Sequence, residues 1–135
     1  MRWWILGLGV LIVAGVSMAR AEAGKPLVVV ARLVDAGKPV PHCGRMHYVV
    51  VMRYEVRRVI EGEYVGQDLF VAQSCPEMGH GPSGAAVKPF KVGETYRLTL
   101  APRRGQEGAL VDAFTEHKQP RFVASRIEVE PAPAK

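Results

Sequence analysis

Tryptophan occurs only at Trp3 and Trp4, cysteine only at Cys43 and Cys75, and aromatic residues make up 7% of the 135-residue chain. Both tryptophans fall in an N-terminal leader, so the exported protein is predicted to show no tryptophan fluorescence. No cysteine stands near the cleavage site of that leader, which argues against a lipid-anchored lipoprotein. No segment carries an apolar stripe of helical period, and no internal repeat is evident. Nucleophile elbow, phosphate loop and paired carboxylates are all missing, so no enzyme is expected. Glu61, Glu63 and Asp68 read as solvated turn carboxylates, and Asp112 lies mid-strand without an acid partner.

What is present begins with export. Arg2 precedes a nearly unbroken apolar run, Trp3 to Val16, and two overlapping small-residue cleavage patterns follow at Ala19–Ala21 and Ala21–Ala23. This is the pattern of a secretory signal peptide over residues 1–23. The run is short of the about 20 residues a membrane span needs; an uncleaved anchor is the alternative. Residues 24–129 are then one domain, with 130–135 a frayed tail holding Pro131 and Pro133. Cleavage after Ala23 removes Arg2, Arg20 and Glu22, so the net charge of +5 drops by one. That excess gives only weak attraction to anionic surfaces. The expected location is secreted or periplasmic, with membrane contact only during export.

The mature chain reads as all-β. Leu27–Val34 is a first apolar strand. His47–Ile60 is the longest, with Tyr48, Val50, Met52, Tyr54 and Val56 alternating against His47, Val49, Val51, Arg53 and Glu55. Period two is the strand period. Val49–Met52 is apolar on both faces, so this strand enters between two layers and leaves along a surface. At Arg57-Arg58 the alternation slips, which predicts a β-bulge and a bend. Long bent strands of this kind serve small closed barrels. Asp68–Ser74 follows after a glycine turn and pairs antiparallel with it. Tyr96–Leu100, Ala109–Phe114 and Arg121–Val129 complete the set, and Pro76–Gly93 is a long loop.

Antiparallel pairing of the second and third strands brings Cys75 back toward Cys43. In an oxidising compartment that pair reads as a disulfide. It would close a loop of roughly 30 residues, contributing about 3–4 kcal/mol in the chain-entropy model. The same stretches hold His42, His47, Met78 and His80. Reduced cysteines beside imidazoles and a thioether would suit zinc or copper. Disulfide and metal compete for the same sulfur atoms, and a third possibility uses a free thiol as nucleophile with a histidine base. Arg45 and Glu77 sit in the same loops and are candidate binding residues.

Tyr54-Glu-Val-Arg-Arg-Val-Ile-Glu-Gly62, Cys75 and Val92-Gly93 through Leu100 resemble the netrin-module and tissue-metalloproteinase-inhibitor-like family of OB-fold domains. The resemblance covers about half of the mature chain. It implies a closed five-stranded barrel with disulfides, acting as a secreted binding module. The family's protease inhibition through an N-terminal cysteine does not carry over, because the mature chain would begin at Glu22 or Gly24.

OB folds also bind single-stranded nucleic acids through aromatics on a basic groove. Here Tyr48, Tyr54, Tyr96 and Phe122 fall in the core phase, the basic clusters are Arg53, Arg57, Arg58, Arg103 and Arg104, and export argues against nucleic acid. The sequence therefore predicts a small closed or partly open OB-like β-barrel of five to six strands with one disulfide. It predicts a module for an unknown protein or extracellular ligand, with no cofactor required. An exported zinc- or copper-binding protein is the alternative, and a thiol-dependent enzyme the third.

Overall fold

The computed structural model describes residues 25–38, 46–76, 90–105 and 109–133. Its strands are β1 (Leu27–Asp35), β2 (Tyr48–Glu61), β3 (Asp68–Ser74), β4 (Thr95–Pro102), β5 (Ala109–Val111) and β6 (Arg121–Val129). There is no helix among the described residues, and none long and apolar enough to cross a membrane. The leader, Cys43 and most of the Pro76–Gly93 loop lie outside the described residues.

The strand order is β1-β4-β6-β3-β2, and a β1–β2 pairing closes the ring into a five-stranded barrel. All neighbours are antiparallel except β3 and β6, which run parallel. With β5 set aside this is OB-like topology. β5 is the extra strand, laid parallel to the start of β2 through Tyr48–Val50.

β2 carries the design because one strand serves two neighbours on the same side. Its first residues pair with β5, and its second half, from Arg53 onward, pairs with β1. The expected bulge is present: Val30 faces Arg58 and Ala31 faces Val56, which leaves Arg57 as the extra residue. An extra residue bends its strand and increases its twist, and this is how a sheet closes on itself. A second irregularity, between Val28 and Val29, leaves Ile60 extra.

The alternating phase of β2 separates two cores. Met52 and Tyr54 point into the barrel, where they join Val29, Leu33, Leu69, Val71, Tyr96 and Leu98. Val49 and Val51 point outward and join Phe70, Ala72 and Phe114. So Val49–Met52 is buried on both faces, as its composition implied. Tyr54 and Tyr96 meet edge to face inside the barrel, ring centroids 6.2 Å apart. Tyr48 departs from its expected place: it is half-buried and outside both cores, its hydroxyl 3.8 Å from Met46 Sδ. It is the first residue of β2, where the strand pairs with Ala109 of β5.

The outer core is roofed by the segment after β5. This strand ends at Val111, earlier than the Phe114 expected, because Asp112 Oδ1 accepts the Phe114 N–H at 2.8 Å and turns the chain. That local side-chain bond competes with the ladder and ends it. Phe114 then packs on Phe70, centroids 5.4 Å apart. Beyond β6, Glu130 is held in place: its N–H donates to Thr95 O, and its carboxylate pairs with Arg97 and Arg58.

Gly37 and Gly93 are two of the positions where the backbone needs glycine. Gly37 has φ 75°, and a Cβ there would stand 2.5 Å from Val51 O. Gly93 has φ 92° in the turn before β4, with open space around it.

Candidate functional site

The parallel β3–β6 ladder is short. It pairs Phe70 with Arg121, Val71 with Phe122 and Ala72 with Val123, and then the strands part. β6 is also distorted along its other edge, against β4, where Thr99 faces Arg126 and Leu100 faces Ala124, leaving Ser125 extra. The wall therefore opens beyond Ala72, and a cavity of about 430 Å³ occupies the opening. That size suits a small ligand.

Each wall of this cavity has a sequence reason. β2 and β3 supply Val49 and Ala72, and β6 supplies Val123 and Ala124, which together make an apolar floor. The end of β3 and the residue before β2 supply Ser74 and His47, whose Oγ and Nε2 lie 2.7 Å apart. Gln73, in the barrel-facing phase of Leu69 and Val71, is 6% exposed, and its amide makes only a long 3.5 Å contact with Ser74 O. The turn after β4 supplies Arg103, Arg104 and Gly105. Arg103 is anchored by its N–H donating to Arg121 O at 3.0 Å.

The charge of the cavity is one-sided. Among the described residues no aspartate or glutamate lines it. Every other arginine among the described residues reaches a carboxylate within 4.0 Å, whereas Arg103 and Arg104 reach none. One terminal guanidinium nitrogen of Arg103 is buried without a hydrogen-bond partner. An adjoining cavity of about 450 Å³ shares Arg104 and adds Lys25, again with no acid among the described residues of its lining.

His47 and Ser74 stand at the distance a nucleophile and base require. Among the described residues no carboxylate orients the ring, which such a pair also needs. As polar groups at a pocket mouth they can donate or accept hydrogen bonds to a ligand.

Of the sequence-predicted site residues, the structure places His47 in this cavity. His42, Arg45, Glu77, Met78 and His80 lie outside the described residues, as does Cys43. Among the described residues no group of three His, Cys, Asp or Glu side chains is placed to hold a metal. Cys75 is buried at the end of β3, and its N–H donates to Tyr48 O at 3.0 Å, which brings it to the start of β2 as expected. It is not a free thiol. Arg53, Arg57 and Arg58, weighed in the sequence as part of a basic surface, are occupied by Asp68, Glu55 and Glu130.

Sequence reasoning passed over Ser74, Gln73 and the Asp112–Arg121 pair. Arg121 Nε donates to Asp112 Oδ2 at 2.8 Å, its other nitrogens donate to the carbonyls of Phe114, His117 and Gln119, and its guanidinium lies 4.7 Å from the Phe70 ring centre. Burial pushes the Asp112 carboxyl up, but the Arg121 and Phe114 hydrogen bonds and nearby positive charge outweigh it, so its pKa lies below the usual value. This cluster is structural: it fixes the roof of the outer core next to the Arg103 turn. Comparison with protein-family models, curated proteins and solved structures finds no match for this chain.

Proposed function

We propose that this chain is an exported binding module of netrin-module type, which holds a ligand or protein partner outside the cytoplasm at the open β3–β6 seam. The observation that carries the proposal is the cavity at the break in the barrel wall, where Arg103, with one unpartnered guanidinium nitrogen, Arg104 and the His47–Ser74 pair surround an apolar floor. OB-like topology supports the family likeness. The signal-peptide pattern over residues 1–23 supports export.

A Cys43–Cys75 disulfide belongs to the same proposal. Cys75 has φ 43°, a left-handed conformation that costs a non-glycine residue about 1 kcal/mol or more and persists only where the surroundings hold it. A covalent tie to the loop before β2, together with the Tyr48 hydrogen bond, would supply that restraint.

Mass spectrometry of the chain recovered from the exported fraction, with and without reductant, tests both parts. The expected result is cleavage after Ala21 or Ala23 and a mass about two daltons lower before reduction, for the two thiol hydrogens lost. An unprocessed cytoplasmic chain would overturn export. Two free thiols with bound zinc or copper would replace the staple by a metal site.

A further inference from the structure

We propose that the opening between β3 and β6 takes a small organic carboxylate with an apolar body, its charge held by Arg103 and Arg104. This rests on the binding-module reading of the same cavity and names the ligand class.

Three observations meet here. Arg103 and Arg104 are the arginines that, among the described residues, have no carboxylate within 4.0 Å, and both line one cavity. A buried guanidinium nitrogen without a partner is costly, because a charged donor gives up its water for nothing. An anion in the cavity would give the Arg103 guanidinium a charge-assisted hydrogen-bond partner. The opposite wall explains the rest of the molecule. Val49, Ala72, Val123 and Ala124 offer no polar side chain, so a bare inorganic anion would leave that wall uncovered. An apolar body fills it, while His47, Ser74 and the buried Gln73 amide stand at the rim for further hydrogen bonds. The cavity volume, about 430 Å³, accommodates a ring or short chain with its carboxylate.

Benzoate is the probe, with benzyl alcohol as its neutral counterpart and inorganic phosphate as the bare anion. Each is titrated into the full oxidised, processed chain and followed by amide chemical shifts. Benzoate is expected to shift Gln73, Ser74, Arg103 and Gly105, with benzyl alcohol and phosphate weaker. Arg103→Gln is expected to weaken benzoate by about tenfold or more, the scale of one charge-assisted hydrogen bond. Arg104→Gln, at an exposed position, serves if Arg103→Gln fails to fold, and should also weaken it. The proposal is overturned if benzoate leaves these amides unmoved at millimolar concentration, or if benzyl alcohol matches it. Phosphate binding without benzoate binding overturns the organic class. A macromolecular partner retained by both wild type and Arg103→Gln, with no benzoate binding, would leave the binding module standing and remove this proposal alone.

Discussion

Asp112 and Arg121 form a 2.8 Å ion pair in which each side chain is only 15% exposed, across the turn that roofs the outer core. Arg121 also satisfies three backbone carbonyls of the 114–119 turn, so one side chain replaces the ladder that β5 gives up. Arg121→Met should cost about 2–4 kcal/mol, since it strands a half-buried carboxylate and those carbonyls together. Arg121→Lys should recover only a minor part, because an ammonium cannot reach the same fork of acceptors. Urea denaturation of the two variants decides this; equal stability of Met and wild type would refute it.

The depressed Asp112 pKa links the same pair to pH. A carboxyl whose folded pKa lies below its unfolded value contributes stability that is present above the unfolded value, near 4, and is lost as pH falls through the folded value. Denaturation midpoints should therefore fall as the medium is acidified below about pH 4. Asp112→Asn should be less stable at neutral pH and show a flatter acid dependence.

At the alkaline end the barrel tyrosines act with the opposite sign. Burial, chiefly, raises Tyr96 to about 12 and Tyr54 higher still. Raised phenol pKa values mean stability that is complete below the unfolded value of 10 and lost as pH rises toward 12. Near-ultraviolet phenolate absorbance should show these two rings ionising together with unfolding. Independent, reversible ionisation of both in the folded protein would contradict the burial.

The two hydroxyls differ in worth. Tyr54 donates only to Met52 Sδ at 3.8 Å, a weak acceptor, so Tyr54→Phe should change stability by less than about 1 kcal/mol. Tyr96 accepts from Lys91 N–H at 2.9 Å and donates to Glu94 Oε2 at 2.8 Å, holding the turn before β4. Tyr96→Phe should cost about 1–3 kcal/mol. Thermal melts of both variants give the comparison directly.

Gly37 and Gly93 separate clash from backbone strain. Both have positive φ, but only Gly37 would drive a Cβ into a backbone oxygen. Gly93→Ala should cost about 1 kcal/mol for the left-handed conformation alone, and Gly37→Ala distinctly more. Similar losses at both would mean the Gly37–Val51 approach relaxes easily.

The strands were legible because their signals are local: alternation in β2, β-branched runs in β1 and β3, and the slip at Arg57-Arg58 are all readable without a partner. β5 and the outer core were less so. Val49, Phe70 and Phe114 come from three separate stretches, and Phe114 reads as part of a strand because nothing in the local sequence shows that Asp112 captures its N–H. Arg103 and Arg104 were visible as a basic pair, but charge alone does not tell a paired arginine from an unpaired one. That difference lies in which carboxylates stand near: Glu55 on the same strand serves Arg57, Asp68 across the β2–β3 pair serves Arg53, and Glu130 beyond β6 serves Arg58. His47 stands out in the sequence by its crowding with other histidines, whereas the Ser74 contact is what places it at the cavity.

The three-residue parallel overlap of β3 and β6 has a kinetic consequence. It joins segments about fifty positions apart in sequence, so its loop-closure entropy is among the highest in the ring while its ladder is the shortest of the five. The hoop is fastened where it has the least overlap. This seam should be the last to zip during folding and the first to unzip in native-state hydrogen exchange, with Val71–Ala72 and Phe122–Val123 exchanging ahead of the β1–β4 amides. Whatever fills the gap beside it then acts as a clasp as well as a guest.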